Sequence, residues 1–215
     1  MASMADGYPV VLDLRDRACV VVGGGPVAEA KVLSLLRAGA SLTVVSPTLT
    51  EGLAALARTG RIAHVCRPYA RADLDGQWLA FVATGDRSVT TAVREDARSA
   101  RVWVNAADDP AYCDFLLPSV LRRGRLVVAV GSSGGSPGLA RAIREELETH
   151  FPEDYALLLD LAADVRRDFR GRPGAPAGDA WRGALDPEIR RLLAEGRRDE
   201  AEALLRQRLG VSACR

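Results

Sequence analysis

The stretch that decides the fold runs from residue 18 to residue 28 and reads Ala-Cys-Val-Val-Val-Gly-Gly-Gly-Pro-Val-Ala. Its first part, Ala18 to Val22, is apolar without alternation, which is typical of a strand buried on both faces of a parallel sheet. Three glycines follow, and apolar residues then recur at helical spacing from Pro26 until Gly39, a residue type that commonly follows a helix. The stretch therefore predicts a strand, a tight turn and a helix.

Strand and helix patterns continue to alternate on the C-terminal side of this stretch. Strands are predicted at Leu42–Val45, Ile62–Val65, Trp78–Ala83 and Val102–Val104, and helices at about Glu51–Arg58 and Ser88–Ala100. Alternation of this kind indicates βαβ units with right-handed crossovers and a parallel sheet. The fold class predicted for residues 1–117 is therefore α/β, with a doubly wound parallel sheet.

The pattern changes beyond Pro118. Two short apolar runs, Ser119–Leu121 and Leu126–Val130, flank Arg122-Arg-Gly-Arg125 and indicate an antiparallel hairpin. Ser136 and Pro137 are a good N-cap and first residue for a helix through about Thr149. After Asp154 only helical stretches are predicted, at about 154–169, 186–195 and 198–209, with a Gly/Pro-rich loop at 171–178.

Composition excludes several classes of protein. The 215 residues are 48% hydrophobic, and 29 Lys and Arg stand against 28 Asp and Glu, so net charge gives no case for nucleic-acid binding. The longest aliphatic runs are too short to cross a bilayer and no secretory leader is recognisable, which predicts a cytoplasmic protein. The four cysteines form no CxxC pair and His64 and His150 are isolated, so we expect reduced, buried thiols and no permanent metal site.

The glycine turn carries a binding signal. Gly23-x-Gly25-x-x-Ala28 lies between a predicted strand and a predicted helix, the context that separates a dinucleotide fingerprint from a chance match. In such a motif Gly23 permits the tight turn, Gly25 lets backbone N–H groups approach the pyrophosphate, and Ala28 keeps the helix close to the sheet. The alternative is an ordinary turn between a strand and a helix.

Two further strand ends are candidates for cofactor contact. The second strand ends at Ser46-Pro47-Thr48, with neither the acidic residue typical of NAD sites nor an arginine for a 2′-phosphate, which favours NAD bound through hydroxyl and backbone groups. Thr84 follows the fourth strand, at the edge where cofactors bind in open sheets. A helix-entry turn capped by Asp86 is an equally good interpretation of that segment.

Two segments could carry the chemistry. Asn105-Ala-Ala-Asp108-Asp109-Pro110 follows the fifth strand and should emerge at the same sheet edge as the glycine turn, although Asp-Asp-Pro is also a common turn. Farther along, the small-residue loop 131–136 leads into the helix that begins at Pro137. Its N–H groups could receive carboxylates, and a purely structural loop is an equal alternative.

Taken together, these segments resemble the precorrin-2 dehydrogenase/sirohydrochlorin ferrochelatase family, whose members occur alone or as the N-terminal part of siroheme synthase. The matching segments appear in one order along most of the chain: Tyr8–Val10, Val22–Lys31, Val44–Pro47, Asn105–Asp108, Phe115–Ser119 and Ser136–Arg141. The resemblance implies a Rossmann domain at 1–117, a central segment at 118–150 that makes a homodimer, and a small helical C-terminal domain at 151–215.

The resemblance also implies an activity and a set of site residues. The activity would be NAD-dependent oxidation of precorrin-2 to sirohydrochlorin, with ferrous iron as a second substrate in bifunctional members. Residues carried over by position as NAD contacts are Gly23, Gly25, Pro26, Val27, Pro47 and Thr48. Asp108 would be the catalytic carboxylate and Ser132 would lie in the active-site loop, which here begins Gly131-Ser132-Ser133 where some relatives begin Ser-Ser.

These implications define the expected chemistry and its rivals. Oxidation removes two electrons and two protons, so a carboxylate such as Asp108 is expected to act as general base, whereas Asp109, which precedes Pro110, is expected to serve the turn. The substrate's eight carboxylates could pair with Arg122, Arg123, Arg125 and Arg141, although exposed arginines are mostly solvated. The rival functions are an NAD-sensing regulator, for which no DNA-reading element is recognisable, and a tetrapyrrole carrier without turnover.

Overall fold

The computed structural model describes residues 7–107, 109–170 and 175–211. The chain divides into two compact units, and the boundary lies between Leu117 and Pro118. Within the part of the chain that the structure describes, no helix is long and apolar enough to span a bilayer.

The first unit alternates strands and helices as the sequence predicts. Its strands are β1 Ala18–Val22, β2 Ser41–Val45, β3 Ala63–Val65, β4 Leu79–Val82 and β5 Trp103–Ala106, and its helices are α1 Pro26–Arg37, α2 Glu51–Arg58 and α3 Arg87–Ala100. Two short 3-10 turns, Arg71–Leu74 and Pro110–Tyr112, were not predicted. Where element bounds differ from the predicted ones, they differ by one or two residues.

All five strands are parallel, in the order β3-β2-β1-β4-β5. Side chains alternate across β1: Cys19 and Val21 join one buried cluster, and Val20 and Val22 join the other. Helices α1 and α2 cover the first cluster, and α3 covers the second. The doubly wound parallel sheet is therefore confirmed, and the unbroken apolar run of β1 has its cause in burial on both faces.

The second unit begins with the predicted hairpin. Strand β6 Ser119–Arg123 pairs antiparallel with β7 Leu126–Val130, and Gly124 takes a φ of 55° in the two-residue turn. The first strand is two residues longer than predicted. Helix α4 Pro137–His150 follows, with the Ser136 hydroxyl accepting a hydrogen bond from the N–H of Leu139, which confirms the predicted cap.

Helices make up the rest of this unit: α5 Asp154–Phe169, α6 Gly178–Ala184, α7 Pro187–Ala194 and α8 Arg198–Arg208. Their core includes Leu161, Ile189 and Leu205, all fully buried. Helix α6 was not predicted, because seven residues after a Gly/Pro-rich run carry little helical signal. It forms through tertiary packing, since Ala184 is buried and Trp181 lies against the core.

The cysteines depart in part from expectation. Cys19 is buried, and burial raises the pKa of its thiol to about 11. Cys66 is exposed and its thiol donates to the carbonyl of Pro47 at 3.4 Å, so the expectation that it is buried was wrong. It lies just beyond the end of a three-residue edge strand, where one side of the backbone is uncovered.

Candidate functional site

The candidate site lies at the carboxyl ends of β1 and β4. The chain proceeds from β1 to β2 and β3 on one side of the sheet, and β4 and β5 lie on the other, so strand order reverses between β1 and β4. Ligands of open α/β sheets bind at such a switch point. A cavity of about 360 Å³ lies there, lined by Val27, Val82, Ala83, Thr84, Gly85, Arg87, Thr90, Ala106, Ala107 and Asp109.

Gly23 is the first residue of the glycine turn, and its backbone has a conformation that residues with a side chain rarely adopt. Its φ is +124°, and a Cβ at this position would lie 2.3 Å from the carbonyl oxygen of Ala83. The N–H of Gly23 donates to the carbonyl of Val45 at 3.0 Å. Gly23 therefore lets the chain leave β1 while in contact with the last residue of β2 and with the residue that follows β4.

Gly24 is a residue of the candidate site whose packing role the sequence reasoning missed. A Cβ here would lie 1.9 Å from the carbonyl oxygen of Thr48 and 2.8 Å from the Ser46 hydroxyl oxygen. The N–H of Thr50 also donates to the carbonyl of Gly24 at 2.9 Å. Gly24 thus holds the segment after β2 against the turn. The signal was the glycine between the two glycines of the fingerprint, but the fingerprint assigns roles only to Gly23 and Gly25.

Gly25 has the opposite environment. A Cβ at this position would meet no atom of the described residues within 4 Å. Gly25 is the N-cap of α1, and Pro26 occupies the first helical position beside Val27, which lines the cavity. The first-turn N–H groups of α1 have no acceptor within the helix. Open space beside a bare helix N-terminus fits the pyrophosphate of a dinucleotide.

The segment after β2 places its three candidate residues differently. Ser46 is buried, and its carbonyl accepts a hydrogen bond from Nε2 of His64 at 2.9 Å. Its hydroxyl lies close to Gly24, whereas Pro47 and Thr48 are exposed beside the turn. Pro47 and Thr48 therefore offer surface to a ligand, and Ser46 braces the turn.

Thr84 is part of the turn that enters α3, and it also lies at the cavity, so it fits both interpretations of its segment. Its hydroxyl oxygen accepts from the N–H of Asp86 at 3.2 Å, and the Asp86 carboxylate caps α3 by accepting from the N–H groups of Ser88 and Val89. The Ser88 hydroxyl and these N–H groups hold the pKa of Asp86 below its usual range. The helix-entry turn is confirmed, and Thr84 also lines the cavity.

The segment after β5 reaches the same cavity through Ala107 and Asp109. Asp108 itself lies outside the described residues. The N–H of Ala107 donates to the carbonyl of Val82 at 2.9 Å, which ties the segment to β4. The Asp109 carboxylate accepts from the N–H of Ala111 at 3.2 Å, so its predicted role in the turn is confirmed.

Two side chains stabilise this segment from within the first unit. Asn105 is buried and donates through its Nδ2 to the carbonyl of Phe115 at 3.0 Å. The Cys113 sulfur accepts from the N–H of Ala106 at 3.2 Å and lies 3.5 Å from the carbonyl of Asp109. Burial raises the pKa of the Cys113 thiol. Sequence reasoning missed Cys113, because a lone cysteine carries no signal for such a role.

A family model described as putative NAD(P)-binding matches residues 10–119, about half of the chain, and covers the glycine turn and every residue that lines the cavity. The chain belongs to this putative NAD(P)-binding family.

Relatives extend the likeness beyond the NAD(P)-binding part. A siroheme synthase of Methylobacillus flagellatus is 39% identical over 201 residues, which is 93% of this chain and 43% of the relative. A siroheme synthase of Thioalkalivibrio sulfidiphilus is 38% identical over 206 residues, 95% of this chain and 42% of the relative. The chain thus spans less than half the length of these curated relatives.

A solved structure is similar over nearly the whole chain. It is described as SirC, precorrin-2 dehydrogenase, and it matches with a TM-score of 0.72 and 25% identity over 94% of this chain and 100% of that chain. The predicted resemblance and the fold class, including the helical C-terminal part, are therefore confirmed.

Ser132 lies in the second unit, in the loop between β7 and α4. Its hydroxyl oxygen accepts from the N–H of Ser136 at 3.0 Å, and its carbonyl accepts from the N–H of Gly135 at 2.8 Å. Ser133 follows with a φ of 49°, and its side chain is exposed. Ser132 therefore shapes the loop, and its predicted place in an active site stays a prediction.

The candidate arginines of the second unit are mostly engaged. Arg123 donates to the carbonyl of Phe151 at 2.6 Å, Arg125 pairs with Asp160, and Arg141 pairs with Glu145. Arg122 is exposed on the hairpin. Among the residues that the structure describes, no group of three or more His, Cys, Asp or Glu side chains could hold a metal ion.

The segment after β2 is where a dinucleotide site would carry a cation for a 2′-phosphate. Arg67, near that segment, is paired with Asp73 through Nη1–Oδ2 and Nη2–Oδ1 contacts of 2.8 and 2.6 Å. This pairing holds the pKa of Asp73 below its usual range. A guanidinium engaged by a carboxylate is not free for a 2′-phosphate.

We therefore predict that NAD binds more tightly than NADP. Neither 46–48 nor the paired Arg67 offers a free cation, and we expect calorimetry to give at least a tenfold lower Kd for NAD, about 1.4 kcal/mol. Tighter binding of NADP would contradict the prediction. Asp73→Asn is the sharper control. It should release Arg67, raise the affinity for NADP and leave the affinity for NAD unchanged.

Proposed function

We propose that the chain oxidises precorrin-2 to sirohydrochlorin with NAD as the oxidant. The observation that carries the proposal is the cavity at the switch point. Its lining includes Val27 of α1, and also Ala107 and Asp109, which precede and follow Asp108 in the sequence. The likeness to a structure described as a precorrin-2 dehydrogenase, over that protein's whole length, supports the choice of substrate.

The first unit supplies the cofactor contacts. Gly23 permits the tight turn after β1, and Gly25 leaves open space beside the N-terminus of α1 at Pro26 and Val27, where a pyrophosphate would bind. Thr48 and Pro47 would contact the adenosine part, and Ser46 would hold the turn in place. When bound there, NAD would supply the hydride acceptor for the oxidation.

The remaining proton needs an acceptor on the protein. We assign that role to Asp108, on the basis of its place after β5 and the family resemblance. Its neighbours are fixed, since Ala107 is hydrogen-bonded to Val82 and Asp109 caps the following turn. A carboxylate that follows a strand at this edge of the sheet is the kind of group that acts as a general base.

An anaerobic absorbance assay tests the proposal. Purified protein mixed with NAD and precorrin-2 should form NADH and sirohydrochlorin together, and omission of NAD should abolish both. A tetrapyrrole carrier would bind sirohydrochlorin without forming NADH. An NAD-sensing regulator would bind NAD and show no change with precorrin-2.

Insertion of ferrous iron into sirohydrochlorin is a second candidate function, favoured by the siroheme synthase names of the relatives. In that reaction two pyrrolic N–H protons leave as iron enters, and Asp108 could accept one. Sirohydrochlorin supplied directly, with ferrous iron and without NAD, separates this step from oxidation. Siroheme formation no faster than without protein would remove it from the proposal.

The three-part division at 1–117, 118–150 and 151–215 also stays a proposal, with the middle segment as a dimer interface. Hairpin β6–β7 is a two-stranded sheet of its own, and α4 packs against both of its strands. Exposed apolar side chains lie within the segment at Val127, Leu139 and Ile143.

The predicted cytoplasmic location stays a prediction, which cell fractionation would test.

We predict a homodimer, with twice the mass of one chain by light scattering at micromolar concentration. Leu139→Glu would place a charge in the interface and should shift the protein toward the monomer. Leu157→Glu is the matched control, because Leu157 is also exposed but lies outside 118–150. A monomeric wild-type protein, or equal dissociation by both variants, would contradict the prediction.

A further inference from the structure

Arg87 brings a positive charge to the cavity. It is the first residue of α3, it is exposed, and it is the one cationic residue among the described residues that line the cavity. Thr90, one turn along the same helix, and Asp109 also line the cavity. The NAD contacts proposed above do not use Arg87.

The charge of Arg87 is uncompensated within the described residues, where no carboxylate forms an ion pair with it. Its neighbour Asp86 accepts from Ser88 and Val89 to cap α3, and Asp109 accepts from Ala111. By contrast, Arg94, on the same helix, is paired with Asp114.

An anion is the ligand that this position favours. A guanidinium pairs with carboxylate or phosphate through parallel hydrogen bonds, and the positive end of the α3 dipole lies at the same place. Two anions are available in the proposed reaction: the pyrophosphate of NAD and the carboxylates of the tetrapyrrole. The glycine turn on β1–α1 already provides for the pyrophosphate, whereas Arg87 belongs to β4–α3, across the switch point.

We propose that Arg87 binds a carboxylate of the tetrapyrrole and so positions the macrocycle at the cavity. This inference rests on the proposed function and adds a substrate-binding residue to it. Because charge-assisted hydrogen bonds are worth roughly 1.5–3 kcal/mol, their loss corresponds to about a tenfold to hundredfold loss of affinity.

The test compares Arg87→Gln with Arg98→Gln. Arg98 is exposed on the same helix, eleven residues further along and about 16 Å away along the axis, so the two variants lose the same charge from the same helix. Sirohydrochlorin affinity is measured by quenching of tryptophan fluorescence and NAD affinity by calorimetry. Turnover of precorrin-2 is measured in parallel.

Arg87→Gln should weaken sirohydrochlorin binding and raise the KM for precorrin-2 by at least about tenfold, while NAD affinity and kcat change less than about threefold. Arg87→Lys should recover part of the loss, and Arg98→Gln should match the wild type. Increasing salt should weaken wild-type binding more than Arg87→Gln binding.

Several results would overturn the assignment. Loss of NAD affinity alone would give Arg87 to the cofactor phosphate, and equal loss of both ligands would indicate general disturbance of the cavity. Unchanged binding of both ligands, or a wild-type protein that does not bind sirohydrochlorin, would also refute it. A wild-type protein that binds sirohydrochlorin through Arg87 but forms no NADH would refute the dehydrogenase and keep the binding residue.

Discussion

Asp108→Ala should lose on the order of a hundredfold to ten-thousandfold in precorrin-2 oxidation, the usual range for a positioned general base. NAD affinity should not change, because the glycine turn that would hold the cofactor lies on β1 and α1. The measurement is kcat for NADH formation, with NAD affinity determined separately by calorimetry. Near-normal turnover by folded Asp108→Ala would remove Asp108 from the mechanism.

Asp109→Ala is the internal control for this substitution. The Asp109 carboxylate accepts from the N–H of Ala111 and caps the 3-10 turn Pro110–Tyr112, so its loss should cost roughly 1 kcal/mol of stability. Turnover should fall less than about tenfold, because the Asp109 carboxylate caps the turn and is not the proposed general base. Equal damage from both substitutions would mean that the segment is a structural turn.

Gly25→Val should abolish measurable NAD binding while the protein stays folded. The Cβ of the added side chain would enter open space, with no atom of the described residues within 4 Å. The same space is where the backbone must approach the pyrophosphate, and a branched side chain would fill it. Calorimetry gives the affinity, and thermal unfolding should give a Tm close to that of the wild type.

Gly24→Val provides the contrast. Its Cβ would lie 1.9 Å from the carbonyl oxygen of Thr48, so the segment after β2 must move and the Tm should fall clearly. Together the two variants separate a glycine needed for packing from one needed for a ligand. Retained NAD affinity in Gly25→Val would remove the fingerprint from the account.

The sheet was predictable because its central strands, β1 and β4, are buried on both faces. The unbroken apolar run of β1 and the glycine turn after it are strong local signals, and parallel strands bring their carboxyl ends to one edge. The turn role of Asp109 was also predictable, since the following proline restricts its backbone. These features depend on residues adjacent in sequence.

The features that were missed depend on contacts between distant segments. Gly24 is required by the approach of Thr48, and Cys113 acts through backbone groups of Ala106 and Asp109. Helix α6 forms because Trp181 and Ala184 pack on neighbouring helices. Neither composition nor periodicity records such contacts, so single-sequence reasoning does not reach them.

A single-turnover reaction tests the central claim most directly. Protein in excess is mixed anaerobically with NAD and a measured quantity of precorrin-2, so that dioxygen does not oxidise the substrate, and NADH and sirohydrochlorin are quantified from their absorbance. The account predicts one NADH for each sirohydrochlorin, formed at one common rate. Sirohydrochlorin formed without NADH, or precorrin-2 left unchanged by folded protein that binds NAD, would contradict it.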